Sequence, residues 1–355
     1  MSEWNKVKLR ELITIRNGKD HKSLHDGIYP VYGSGGIMRY VDKFLYDKES
    51  VLLPRKGTLN NIQYAKSPFW TVDTCYYTVV DTEKVNPYFL YRYLGLFDIE
   101  SLNTGSAVPS MTFDKYYSLD IHLPSIETQQ RIATILSRYD SLIENYQKQI
   151  KLLEESAQRL YKEWFIDLRF PGHENVQIVD GVPEGWEKKN LGDITPIKTG
   201  KRDANFGTAD GEYPFFTCAQ EPIKSPAYSF DTSAVILAGN GDFNVKLYRG
   251  KFEAYQRTYV LEPNDTNMLY LLFFCVLENM NRLATGASGS TIKFLTKGMI
   301  ESLDLYEPDV DTLFAFNKIV EPIQRQKENL STQIRHLTEA RDRLLPKLMS
   351  GEIEV

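Results

Sequence analysis

The 355-residue chain carries 42 Lys and Arg against 47 Asp and Glu, a net charge of −5, and 42% hydrophobic residues. This is a globular composition, too long for one small core, so two or three domains are expected. It excludes a general basic footprint for nucleic acid. No apolar run approaches the roughly 20 residues of a membrane-spanning helix; the most apolar, Leu269–Leu277, is far shorter. No signal peptide is read at the start. Cys75, Cys218 and Cys275 lie far apart with no metal or disulfide spacing, which fits a reducing cytoplasm without membrane partners. Asp20, His21, His25 and Asp26 read as a solvated loop rather than a metal site, since no further soft ligand stands nearby.

In chain order, residues 1–125 read as short β runs broken by Gly-rich turns. Val31–Tyr32 precedes Gly33–Gly36, Val51–Leu53 precedes Arg55, Lys56 and Gly57, and Cys75–Val80 follows. One helix interrupts them: Asn86 suits its N-cap and Pro87 its first helical position. The run Asn86-Pro87-Tyr88-Phe89 also resembles the Asn-Pro-Pro-Tyr/Phe tetrapeptide of adenine amino-methyltransferases, but it lacks the second proline and an upstream Gly-rich cofactor loop. The loops Gly33–Gly36 and Gly239–Gly241 read as turns, because neither carries the Lys-Ser/Thr ending or the spaced glycines of a nucleotide cradle.

Residues 126–168 form a predicted long helix. Ile132, Leu136, Tyr139, Ile143, Tyr146, Ile150, Leu153, Ala157, Leu160 and Trp164 recur at alternating steps of four and three, a heptad seam. A helix of about 33 residues is about 50 Å long. Tyr139, Tyr146, Trp164 and the adjacent Phe165 exceed what a two-helix seam buries, which predicts another surface over them. Residues 169–186 read as a polar linker.

The chain then repeats itself. Trp4 answers to Trp186, Arg10–Lys19 to Gly192–Lys201, Ser50–Asn61 to Ser233–Val245, and Thr104–Phe113 to Thr285–Phe294. Residues 187–310 are thus a second globular domain, with Asp265 or Thr266 capping its helix. The second seam lies 184 positions beyond the first: Phe316, Val320, Ile323, Leu330, Ile334, Leu337, Leu344 and Leu348. Lys327 and Arg341 interrupt it, and it occupies a distal helix within 311–355. Pro322 predicts a kink or a later helix start, and Pro346 and Gly351 predict its end. The predicted fold class is α+β: two pseudo-symmetric globular α/β domains joined by two long antiparallel coiled-coil helices.

No catalytic constellation stands out. What recurs is a set of polar loop residues among the glycines. In the first copy these are Lys19, Ser34, Arg39, Arg55, Lys56, Asn60, Asn61, Gln63, Thr104 and Ser106. In the second they are Lys201, Arg202, Asn205, Gln220, Asn240, Asn244, Lys246, Thr285, Ser288 and Lys293. Arg, Lys, Asn and Gln are the side chains that read base edges, and Ser and Thr hold phosphates. Charge is uneven: residues 1–125 carry 15 Lys/Arg against 14 Asp/Glu, residues 171–310 carry 13 against 19. A positive field toward DNA must therefore be local or come from a partner.

The ordered set resembles the DNA-specificity (S) subunits of type I restriction-modification systems across essentially the whole chain. Leu123–Leu136 looks like the family's Leu-Pro-x-x-x-x-Gln-Gln-x-Ile lead-in to the central helix. Leu160–Phe165 resembles that helix's end, and Leu344–Ile353 resembles the distal ending. Tyr29–Ile37 and Asn86–Leu94 look like parts of its target-recognition domains. The resemblance implies that each domain reads one half of a bipartite, gapped double-stranded DNA target and that the helix pair sets the gap. It further implies that the helices dock two methyltransferase (M) subunits, which hold S-adenosylmethionine and flip and methylate an adenine, while restriction (R) subunits can join. The chain itself is expected to be non-catalytic, with no cofactor and no metal. Two other readings remain: a self-contained methyltransferase using Asn86–Phe89, and a coiled-coil adaptor with two binding heads and no DNA role.

Overall fold

Ile126–Tyr161 and Val310–Met349 are continuous helices of 36 and 40 residues in the computed structural model, which describes residues 4–103, 105, 108–287, 289 and 293–355. Every member of both heptad seams is buried or half-buried. A stripe of apolar side chains at that spacing can only leave water against another surface, which is why the helices associate.

The chain forms two compact units, Met1–Gln147 with Thr332–Val355, and Lys148–Ser331. In the first, a four-stranded antiparallel sheet has the order Ile13–Asn17, Cys75–Val80, Ser50–Pro54, Gln63–Ala65. A smaller sheet places Asp26–Gly33 between Gly36–Val41 and Trp70–Thr71. The helix Pro87–Leu94 packs its apolar face on the core, and its N-cap is Asn86, whose side chain accepts a hydrogen bond from the Phe89 N–H at 3.0 Å. Ile132, Leu136, Leu348 and Met349 of the long helices join that core. In the second unit a six-stranded sheet runs Ile197–Thr199, Thr258–Leu261, Phe230–Ala238, Val245–Ala254, Tyr213–Phe216, Ile223–Ser225. The helix Leu269–Glu278 is buried at every position from Leu269 to Val276. Asp265 caps the single 3-10 turn ahead of it, accepting from Asn267 N–H at 2.9 Å.

The repeat is visible in the ladders. Asn5–Lys8 pairs antiparallel with Asp120–Leu123, and Glu187–Asn190 pairs the same way with Asp304–Glu307. Leu9 N–H donates to the Leu119 carbonyl at 2.9 Å, and Leu191 N–H to the Leu303 carbonyl at 2.8 Å.

The two basic interruptions of the second seam have partners. Lys327 meets Glu154 at 2.8 Å in the second unit. Arg341 meets Asp140 at 2.8 Å in the first, where Arg92 and the Tyr88 hydroxyl also bond the same carboxylate. The side chains of Asp140, Arg92 and Arg341 are 13%, 12% and 18% exposed, so this is a nearly dry cluster. Burial alone would raise the Asp140 pKa. Hydrogen bonds from Tyr88 and Arg341 and the charge of Arg92 outweigh it and hold the carboxyl below its ordinary value. Within each unit the helices run antiparallel: in the second, Trp164 lies near Phe316 while Glu154, earlier in the chain, meets the later Lys327, and in the first, Asp140 meets Arg341 while the earlier Arg131 reaches the later Val355 carbonyl.

Several expectations differ from what is found. The second helix starts at Val310 and runs through Pro322 uninterrupted; that proline lies on its exposed side, where one lost backbone bond is made good by water while the opposite face stays packed. Pro346 also lies inside the helix, which closes at Met349 ahead of Gly351. The central helix ends at Tyr161 and widens into a π-turn, Lys162–Ile166, short of residue 168. Trp164 and Phe165 need no other molecule over them, for they sit in the second unit's own core against Phe316 and Trp186. The stretch read as a linker buries Phe170 and Trp186, whose rings lie 4.6 Å apart. It also carries a small hairpin, Ile178–Val179 with Val182–Pro183, turned by Asp180 (φ 52°) and Gly181 (φ 80°). An Asp-Gly pair with both φ positive is the turn that matches strand twist.

Candidate nucleic-acid interface

In each unit three chain segments that are far apart in sequence are woven together by the same hydrogen bonds. In the first, Arg55 N–H donates to the Thr74 carbonyl at 2.9 Å, and Met111 N–H donates to the Arg55 carbonyl at 2.9 Å. In the second, Gly239 N–H donates to the Arg257 carbonyl at 2.9 Å, and Leu295 N–H to the Gly239 carbonyl at 2.8 Å. A tyrosine fixes the third segment in both: Tyr76 donates to the Met111 carbonyl at 3.2 Å, Tyr259 to the Leu295 carbonyl at 2.8 Å. Single backbone bridges repeat as well, Lys56 with Ser110 and Asn240 with Phe294.

In the first unit side-chain amides then staple the glycine-rich loop to this frame. Asn61 Nδ2 donates to the Ser34 carbonyl and Gln63 Nε2 to the Gly33 carbonyl, each at 2.8 Å. In the second unit Asn244 Nδ2 donates to the Cys218 carbonyl at 3.1 Å, and Lys246 Nζ to the Ala219 carbonyl at 2.9 Å. Burial depresses the Lys246 pKa. These four side chains spend donors on the loops' own backbone, so they shape the polar surface rather than simply extend from it.

The remaining candidates divide by environment. Lys19, Lys56, Lys201, Asn205 and Lys293 are exposed, and Ser34 is half-buried beside the loop. Arg55 lies over the Tyr76 ring, 5.8 Å from its centre, and donates to the Asp73 carbonyl at 3.3 Å. Arg202 covers the Phe206 ring at 4.3 Å, with Nε 3.6 Å from the buried Glu253 carboxylate. Arg39 is paired with Asp26 at 2.7 Å and bonds the Leu24 carbonyl. Asn60 binds the acidic pair Asp98 and Glu100, and Gln220 bonds Asp242. Asn240 Oδ1 accepts from the Cys218 thiol at 2.7 Å. Thr285 bonds the Asn281 carbonyl inside its own helix. Thr104, Ser106 and Ser288 lie outside the described residues.

Residues not singled out from sequence also sit here. Ile37 and Met38, directly after the glycine loop, are 49% and 58% exposed. Apolar side chains beside donors suit the thymine methyl group. Arg257 and Lys297 line a cleft with Phe294, which is 40% exposed. Among the described residues no group of three or more His, Cys, Asp or Glu is placed to hold a metal ion. Among the same residues no helix is long and apolar enough to cross a membrane. The buried thiols of Cys75 and Cys275 are each pushed up to about 12 by desolvation, which makes them poor nucleophiles.

Comparison with known proteins agrees with the duplicated frame. The family model described as the type I restriction modification DNA specificity domain matches residues 1–155 and 183–335. The type I restriction enzyme EcoDI specificity subunit of Escherichia coli is 40% identical over 178 residues, 48% of this chain and 39% of that protein. The match therefore spans well under half of that relative's length. The MjaIX specificity subunit of Methanocaldococcus jannaschii is 28% identical over 344 residues, covering 88% of this chain and 79% of that one. A crystal structure of a type I restriction-modification S subunit from M. genitalium superposes with a TM-score of 0.68 at 19% identity, covering 98% of this chain and 96% of that one.

Proposed function

Because this chain belongs to the type I restriction-modification DNA specificity family, we propose that it is the non-catalytic subunit that reads a bipartite, gapped DNA target for a methyltransferase complex. The observation that carries the reading is the duplicated weave. Two loop surfaces, built by equivalent hydrogen bonds, are presented by two units of one chain. A duplicated reader of this kind suits two different half-sites, since the frame repeats while the side chains on it do not. Loop residues stapled in place enter the groove with little left to order, which favours base discrimination over mere attraction. The acidic second unit then relies on local cations, Lys201, Arg202, Arg257, Lys293 and Lys297, for phosphate contact.

In this reading methyl transfer, with S-adenosylmethionine as donor, belongs to two partner methyltransferase subunits in the cytoplasm. They extrude the adenine that they modify, and restriction subunits join the same assembly. The test is a base-resolution methylation map of DNA from cells expressing the methyltransferase with this chain, without it, and with residues 1–125 exchanged for another recognition domain. A two-part motif that depends on the chain, with only one half changed by the exchange, supports the proposal. Methylation independent of the chain, or both halves altered together, overturns it in favour of an adaptor.

A further inference from the structure

The two copies of the frame differ at one position in a way that creates a site in the second unit. Arg55 and Gly239 are equivalent by their backbone bonds: each N–H reaches the strand-leading carbonyl (Thr74, Arg257), and each carbonyl receives the third segment (Met111, Leu295). Tyr76 and Tyr259 are equivalent by theirs. In the first unit the Arg55 guanidinium, a planar cation, lies over the Tyr76 ring. In the second, no side chain can take that course. A Cβ on Gly239 would meet the Arg257 carbonyl oxygen at 2.4 Å and the Tyr259 ring at 2.9 Å. What stands there is an open cleft of about 340 Å³, lined by Gly239, Gln256, Arg257, Tyr259, Phe294 and Lys297 among others.

The lining chooses the ligand. Tyr259 and Phe294 offer aromatic surface, which favours a flat group, as the first copy's guanidinium over its tyrosine already illustrates. Arg257 and Lys297 make the rim cationic, which disfavours another guanidinium and favours a flat group carrying an anion. Lys297 is partly balanced by Glu301 at 3.3 Å. Gln256 adds an amide that can both donate and accept, the chemistry of a base edge. The volume lies at the small end of ligand pockets, right for one nucleotide rather than a stacked pair.

We propose that this cleft binds a single unstacked nucleotide of the DNA, its base against Tyr259 and Phe294 and its phosphate toward Arg257. The proposal rests on the DNA-reading function and adds a contact in the second unit at the place where the first puts the Arg55 guanidinium over Tyr76, so the two units would differ in mode of reading and not only in sequence. Removing a base from the stack costs energy that aromatic stacking and a phosphate contact offset.

The test uses the full-length chain and the four deoxynucleoside 5′-monophosphates, with the free nucleosides and 2-deoxyribose 5-phosphate as controls, read by saturation-transfer NMR. Saturation of base protons is expected, with affinity about tenfold lower in Phe294→Ala. In Arg257→Gln the advantage of monophosphate over nucleoside should disappear. Both variants are checked by thermal melting; should Phe294→Ala fold poorly, the exposed Arg257→Gln substitution carries the comparison. Absence of base saturation, binding unchanged in the variants, or equal binding of deoxyribose phosphate overturns the proposal. The methylation map separates the two failures: a chain-dependent two-part motif without nucleotide binding sinks the cleft and leaves the DNA-reading function standing.

Discussion

Replacing Asp140 by Asn should be among the most damaging single changes in the first unit. Its carboxylate is the shared anion of Arg92 and Arg341 and also bonds the Tyr88 hydroxyl, all nearly out of water. Without it, the Arg92 guanidinium remains buried with no counter-charge and Arg341 keeps only the exposed Asp342 at 2.8 Å, and breaking a buried pair in this way costs about 3–5 kcal/mol. For a unit of this size each kcal/mol moves the melting temperature by about 2–4 °C, so a drop of roughly 6–20 °C is expected. The assay is thermal unfolding followed by circular dichroism, with hydrogen exchange on the helix Pro87–Leu94 to locate the loss. The triple change Asp140→Leu, Arg92→Met, Arg341→Met removes all three charges together and should recover most of the stability. Acid should reproduce part of the effect. The Asp140 pKa is lower folded than its ordinary 3.8, so its contribution is complete well above that value and fades as pH falls through it toward the folded pKa. A shift under about 2 °C for Asp140→Asn, or a triple variant worse than the single one, would refute this account of the cluster.

Other expectations follow from the same geometry. Pro322→Ala restores a backbone N–H inside an intact helix on its exposed side, so urea unfolding should show a gain of about 1–3 kcal/mol. Asn61→Ala frees the glycine loop of the first unit and Asn244→Ala the loop of the second; methylation mapping should show relaxed discrimination in one half of the motif for each, and never the same half. Cys75 and Cys275, with thiols near 12 and fully buried, should resist a thiol-specific reagent at pH 8 in the folded chain and react only as it unfolds, read by mass spectrometry of the labelled peptides.

Much of this architecture is legible in the sequence because periodicity and repetition are one-dimensional signals. The seam from Ile132 to Trp164, the Asn86-Pro87 helix start and the offset that matches Arg10–Lys19 to Gly192–Lys201 need no third dimension. What fails to show is whatever depends on a partner distant in the chain. Lys327 and Arg341 look like flaws in a seam until Glu154 and Asp140 stand opposite them. Pro322 is a helix breaker by local rules, and tertiary packing on the far face overrides them. The Asp180-Gly181 turn was a readable hairpin signal, hidden inside a stretch whose polarity suggested a linker. At the candidate interface, residue type marks Asn61 and Asn244 as base readers, whereas geometry spends their amides on the Ser34 and Cys218 carbonyls. Arg257 goes unnoticed in sequence because it gains meaning only from Gly239 beside it.

The composition of the first unit from two separated stretches sets an order of events during synthesis. Its core includes Leu348 and Met349, so the domain made first cannot close until nearly the whole chain has emerged. The second unit, Lys148–Ser331, is contiguous and can complete itself earlier. At roughly 5–20 residues per second, the interval between the end of the leading stretch at Gln147 and the arrival of its closing helix from Thr332 is on the order of ten to forty seconds. During that time the apolar faces around Ile132 and Leu136 stand partly uncovered on the ribosome. A chaperone, or a partner subunit already present in the cell, has its opening there.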